Sequence, residues 1–377
     1  MSSLLTPLIA AAVVLSATAA YPSEYWSLPV PPQGEAPANA HPLVADLAPQ
    51  ACGLCHQTQY KQWRSSWHAR AFSPGLVGQL HAFETAEQTD CLNCHAPRSE
   101  QHSDWFAQGY AAEKQVRGVD CAACHVRGHV RHGPRPVAST PHGLVREQPL
   151  FGQARFCAAC HQFDDTGATL NGKPLENTYA EWEASRYATA EVTCQDCHMP
   201  RGSHRFRGIH DPDMTRQALG VMAWRTAQGV RLQARNRGAG HALPTYATPR
   251  IVLSIAAADG GAAREAQHVI QRRLHWSPEE GLEELGDTRL EVDQAVALAL
   301  ELEPERPAEA LVRVEPDADY AERIYPGLLH WLAEALDEPG RRRLTKAMED
   351  AGTSGYVLYR FRCGAWTGRE QPCDASE

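Results

Sequence analysis

Ten of the chain's twelve cysteines fall into one pattern that repeats five times. It reads Cys52-Gly-Leu-Cys55-His56, Cys91-Leu-Asn-Cys94-His95, Cys121-Ala-Ala-Cys124-His125, Cys157-Ala-Ala-Cys160-His161 and Cys194-Gln-Asp-Cys197-His198. The spacing has a chemical reason. Two thiols three positions apart can reach the two vinyl groups of one haem and form thioethers, and the adjacent histidine then presents an imidazole nitrogen to the iron. One copy alone could be a redox dithiol or half of a zinc site. Five copies between residues 52 and 198 predict five covalently bound haem c groups, with His56, His95, His125, His161 and His198 as proximal iron ligands. No copy carries lysine in place of the histidine.

The repeat constrains the fold. From one motif histidine to the next motif cysteine is only 26 to 35 residues, too few for a separate protein core around each haem. The haems themselves must form the core, with short helices and loops around them. Helical pieces are expected at Gln57–Ala71 and Tyr179–Tyr187. The chain has 377 residues, 43% hydrophobic and 21% charged. That is ordinary for globular domains and excludes global disorder and a polytopic membrane protein.

Residues 1–20 read as a signal peptide, apolar from Leu4 to Ala20 with Ala17-Thr18-Ala19 as a cleavage signal. Residues 2–7 lack the usual lysine or arginine, so a misassigned start or a short retained anchor stays open. The apolar stretch is short for a membrane span, and no stable span is expected elsewhere. Residues 21–50 are rich in proline and read as an extended lead-in that wraps the haem domain, 51–227. Beyond residue 228 the pattern turns to strands, at Val230–Asn236, Arg250–Ala256, Leu311–Val314 and Gly355–Arg362. A helical stretch from Gly327 to Met348 is broken by Pro339-Gly340. Cys363 and Cys373 are expected to close a terminal loop as a disulfide, with two free thiols as the alternative.

Charge divides the chain. Residues 251–377 hold 25 acidic and 14 basic side chains, and residues 1–250 hold 20 and 22, within a formal net charge of −9. This excludes nucleic acid as the main partner, because phosphate binding needs a basic surface. The near-balance of the haem half leaves arginines to pair with haem propionates. The acidic half reads as a solvated face, or as a surface that steers a basic redox partner.

A low-potential electron carrier uses a second histidine on each iron, whereas catalysis needs an open position. Thirteen histidines remain beyond the motifs. His68, in Tyr60-Lys-Gln-Trp63-Arg-Ser-Ser-Trp67-His68, lies too near its own motif to fold back and should serve a neighbour. His204 and His210 follow the fifth motif, and His241 follows the first C-terminal strand. These four and His142 are the distal candidates. His129, His132, His81 and His102 are weaker, and His41, His268, His275 and His330 read as structural or exposed. Met199, Met214 and Met222 read as packing residues rather than ligands.

Cys52-x-x-Cys55-His56 followed by Tyr60, Trp63, Ser66 and His68-Ala69 resembles the opening of the cytochrome c-554 / c-prime multihaem family. Cys197-His198-Met199-Pro200 fits as well. The segments Asn236-x-x-x-Gly240-His241-x-x-Pro244-Thr245 and Asp287-Thr288-Arg289-Leu290 resemble the C-terminal β-sandwich-like domain of many multihaem cytochromes. Some of these polymerise into extracellular filaments. The resemblance implies an α+β fold: a mostly helical or irregular multihaem domain followed by a β-rich, sandwich-like domain with a helical insertion. It also implies stacked and perpendicular haem pairs, largely bis-histidine, with His68 and His241 as distal ligands to haems on other motifs. Related nitrite reductases usually carry a C-x-x-C-K motif, absent here, and related hydroxylamine oxidoreductases carry eight haems.

The expected function is a periplasmic or extracellular pentahaem cytochrome c that relays single electrons between other redox proteins, such as a quinol-side donor and a terminal acceptor. One alternative is an oxidoreductase acting on a small nitrogen or sulfur compound at one open haem. The other is a subunit of an oligomer or extracellular filament.

Overall fold

The computed structural model describes residues 25–163, 167, 169–258, 265–277 and 281–376. The expected signal peptide lies outside the described residues.

The first half is built from short helices joined by loops, as close haem motifs require. Four motifs form the last turn of a helix: Thr85–His95, Cys121–His125, Arg155–His161 and Cys194–His198. Positions i, i+3 and i+4 share one helix face, so both cysteines and the histidine point the same way. Three of these four helices have capped N-termini, Arg155–His161 being the exception. Asp120 Oδ1 accepts from the Ala123 amide at 2.9 Å, and Thr193 with Asp196 forms a capping box. The first motif differs. Its helix, Pro49–Gly53, ends inside the motif, and His56 leads into Gln57–Arg64.

The helix expected over Gln57–Ala71 is two pieces, Gln57–Arg64 and a 3₁₀ turn at His68–Arg70. Ser66 breaks it by donating its hydroxyl to the Trp63 carbonyl at 2.6 Å, a side-chain bond that competes with the helical one. Likewise Tyr179–Tyr187 divides into Thr178–Glu183 and Arg186–Thr189, because Ser185 caps the second piece.

The lead-in is anchored by aromatic burial. Tyr25 and Trp26 pack with Leu150, Phe151 and Phe156. The Arg127 guanidinium lies 4.1 Å from the Tyr25 ring centre and 5.2 Å from that of Trp26. Val30 then bonds the chain at both ends of Pro97–Ser99.

The second half is a β-sandwich. One sheet runs Ala295–Glu301, Gly229–Asn236, Leu219–Thr226, Gln371–Pro372, all antiparallel. The other runs Asp374–Ser376, Tyr356–Cys363, Ala308–Glu315, Arg250–Ala257, Glu265–Ile270, again antiparallel. Alternating residues of both sheets meet in one core: Leu219, Leu232 and Ala234 on one side, Ile251, Leu253, Ile255, Ala310, Val312 and Val314 on the other. The first strand begins at Leu219, and it pairs with Gly229–Asn236 through a tight turn in which Gly229 has a positive φ of 148°. Cys363 and Cys373 are joined as a disulfide, tying the end of one sheet to the strand-like terminus that runs across to the other.

The helical insertion returns to the first half. It consists of Tyr325–Trp331 and Glu338–Gly352. Pro339 does not break a helix but occupies the first turn of the second, where Asp337 accepts from the Gly340 amide at 2.8 Å. Glu338–Gly352 lies along Pro74–Leu80, and Arg343 pairs with Glu113 while Tyr110 donates to Asp337 at 2.7 Å. The two halves are therefore bound along a helix face and not only through the chain.

Candidate haem sites

All five motifs open into one continuous cavity of about 3540 Å³. Ordinary small-molecule pockets hold roughly 300–1,000 Å³, so this space suits several large groups side by side. The motifs adjoin one another within it. Cys52 lies beside Cys121, Cys94 beside Cys160, and Cys157 beside Cys194. Cys124 lies within electrostatic reach of both Cys157 and Cys160. The fourth motif is thus the junction, touching the second and fifth and facing the third, which adjoins the first.

Four motif histidines face a second histidine across this space. The rings of His56 and His142 have centres 6.2 Å apart at 27°, His125 and His204 6.1 Å at 29°, His161 and His68 6.2 Å at 41°, and His198 and His241 6.3 Å at 19°. Two imidazoles on opposite sides of one metal, each nitrogen about 2 Å from it, put their ring centres roughly 6 Å apart. The residues fit haem iron on this measure.

Hydrogen bonds set the tautomers to match. Nδ1 of His95, His125 and His198 meets the carbonyls of Ala71, His132 and Arg207 at 2.8, 2.9 and 2.6 Å. His204 and His241 do the same with Gly202 at 2.9 Å and Ala242 at 2.8 Å. A proton held at Nδ1 leaves the Nε2 lone pair for a metal. Burial keeps the rings neutral, the form that binds metal. It pushes His68 down to about 3, aided by His161 and His198, and His125 and His161 down to about 4.

Each distal candidate is positioned by its own local device. Val119 donates its amide to the His68 carbonyl at 2.9 Å, and Trp63 Nε1 donates to the Val119 carbonyl at 2.8 Å, so residues 118–119 clamp the His68 turn. Thr140 Oγ1 lies 2.7 Å from His142 Nδ1 and gives its own proton to the Gly143 carbonyl. The loop bearing His241 is caged. Asn236 Nδ2 donates to the His241 carbonyl at 2.9 Å, and the Ala242 amide donates to Glu181 at 3.0 Å. Arg289, almost fully buried, joins Glu181, Asp287 and the Thr245 carbonyl. This explains why Asn236, Thr245 and the Asp287–Leu290 segment carried a recognisable pattern.

His210 is placed differently from the other distal candidates. Its Nε2 meets Asp317 at 2.9 Å and its ring lies 4.1 Å from Trp67. His81 packs on Trp105 and Tyr110, His129 Nε2 meets the Gly34 carbonyl, and His132 packs on Tyr25. Among the described residues, which include every histidine, no ring stands opposite His95 as the four partners do. Sequence reading missed Tyr246, whose hydroxyl lies 2.6 Å from His161 Nδ1. No local signal marks it.

Residues 51–126 match the family model for cytochrome c554 and c-prime. That segment holds the first three of the five motifs. No curated protein sequence matches the chain. Among solved structures it is similar to a penta-heme cytochrome c552 from Thermochromatium tepidum, with a TM-score of 0.57 and 17% identity, covering 88% of this chain and 100% of that one. The likeness is one of fold, and it extends the α+β architecture across both halves. Both likenesses are to cytochromes c, the first over three motifs and the second over the fold. No helix among the described residues is long and apolar enough to cross a membrane.

Proposed function

We propose that the chain is an exported pentahaem cytochrome c that relays single electrons between a quinol-side donor and a terminal acceptor in the periplasm or outside the cell. The observation that carries this reading is the set of four histidine pairs at metal-bridging separation. Cys52 and Cys55, Cys91 and Cys94, Cys121 and Cys124, Cys157 and Cys160, and Cys194 and Cys197 would each hold one haem. Axial pairs would be His56 with His142, His125 with His204, His161 with His68, and His198 with His241.

Bound haem iron supplies the redox step by cycling between ferric and ferrous. The chain supplies everything else. Its Nδ1 hydrogen bonds fix the imidazoles, so that little rearranges when charge changes. Its adjoining motifs set the route, with the fourth as the branch. Docking of carriers is weak and transient, which suits repeated exchange.

One observation favours a second reading, an open haem at the second motif that takes a small nitrogen or sulfur compound. His95 has no facing histidine, unlike its four counterparts. A pyridine haemochrome assay with low-temperature EPR tests both readings. Five haems per chain are expected, four of them low-spin. Fewer than five overturns the main proposal. A high-spin ferric signal that changes with nitrite or sulfite supports the second reading, and an all-low-spin spectrum removes it.

A further inference from the structure

The motif histidines do not all share the same kind of partner at Nδ1. His95, His125 and His198 meet backbone carbonyls. His161 meets the phenol oxygen of Tyr246 at 2.6 Å. Tyr246 comes from the far half of the chain, in the loop between strands Gly229–Asn236 and Arg250–Ala257. The same loop carries His241. The loop is held firmly: Thr245 Oγ1 lies 2.7 Å from Thr178 Oγ1, and its carbonyl accepts from Arg289 at 2.9 Å.

We propose that Tyr246 is a positioning residue that sets the reduction potential of the haem on Cys157 and Cys160 above those whose proximal histidine bonds a carbonyl. The inference rests on the reading that His161 ligates that haem.

With Nε2 on iron, Nδ1 of His161 carries the proton and donates, so the Tyr246 oxygen accepts. An amide carbonyl is a strong, fixed acceptor that draws on the N–H and makes the imidazole a richer donor to ferric iron. A neutral phenol oxygen is a weaker acceptor. The imidazole it supports gives less electron density, and the ferrous state gains. A tyrosine phenol, with an ordinary pKa of about 10, is neutral near pH 7. A phenolate would act the opposite way. Place gives the effect its meaning. The fourth motif is the junction of the cavity, next to Cys94 and Cys194. A higher potential there makes the junction collect electrons from its neighbours before passing them on.

The test is spectroelectrochemistry of the full haem-loaded protein, with NMR of the shifted haem methyls to follow each haem. In Tyr246→Phe the N–H loses its acceptor. The potential of the Cys157/Cys160 haem is expected to rise, favouring ferrous by about tenfold, which is 59 mV for one electron, with the other haems unmoved. Site-specific fluorotyrosine at 246 keeps the shape and weakens the acceptor. It should move the same haem in the same direction by less, and it serves where the phenylalanine variant does not fold. No shift, a downward shift, or an equal shift of all haems in the fluorotyrosine protein overturns the inference. Mass spectrometry of the peptide holding Cys157 and Cys160 separates the two failures. A peptide without haem overturns the ligation reading, and a haem-bearing peptide with an unmoved potential overturns only the role of Tyr246.

Discussion

His198 and His241 hold their rings 19° from parallel with centres 6.3 Å apart, though one ends the fifth motif and the other sits in a loop of the β-sandwich. The sandwich thus reaches back into the haem cavity. The backbone of that loop, through the His241 carbonyl and Ala242 amide, holds its place, while the imidazole faces inward.

His241→Ala is therefore expected to leave the fold intact and to add one high-spin haem to the EPR spectrum. His68→Ala, His142→Ala and His204→Ala should each do the same for a different haem. A spectrum unchanged in any of the four would break the pairing assigned to that histidine.

His210→Asn should behave in the opposite way. Its Nε2 is committed to Asp317, so spin populations stay as they were. The cost is that hydrogen bond, about 1 kcal/mol in denaturant unfolding. A new high-spin signal in this variant would place His210 on iron.

Asp287 gives a pH prediction. Burial raises its carboxyl, but hydrogen bonds from Arg289 and Lys173 outweigh that and hold it well below the usual carboxylate range. A depressed acid stabilises the fold above its unfolded pKa of about 4, and that stability is lost as pH falls through the folded value. Thermal unfolding should show Asp287→Asn less stable than the parent at pH 7, with the difference shrinking towards pH 2. A constant difference across that range would contradict the assignment.

Gly118 has a φ of 63°, and a Cβ there would lie 2.5 Å from the His68 carbonyl. Gly118→Ala meets backbone strain of about 1–2 kcal/mol and a clash besides. It should lower the melting temperature and disturb the His68 turn, read as a changed low-spin EPR signal from one haem. A variant as stable as the parent, with the parent's spectrum, would show that the turn is not clamped at 118–119.

The motifs were plain in the sequence because three residues within five positions define each one. The α+β division was also plain, since alternation in Arg250–Ala257 and the absence of further motifs are local signals. Other features are not local. His142 follows Pro141 in an irregular loop, and only the fold brings it opposite His56. His210 looks like its neighbour His204 until Asp317, far along the chain, takes its Nε2. Strand Leu219–Thr226 leaves Met222 exposed and buries Arg225 on the carbonyls of Glu303, Pro304 and Arg306, so its polarity misleads. Tyr246 carries no pattern at all. Its role arises from meeting His161.

One loop, 237–249, delivers both His241 and Tyr246 to the cavity, and it is closed by strands that end only at residue 363 or beyond. This orders the assembly of the molecule in time. If the chain is exported as proposed, thioethers on the five motifs could form as soon as residues 52–198 leave the export channel. The fifth and fourth sites, however, reach their final surroundings only after the last strands have emerged and the sandwich has shut. A nascent chain would then carry covalent but immature sites until strands Tyr356–Cys363 and Asp374–Ser376 arrive, so closure of the sandwich would act as the checkpoint for mature sites.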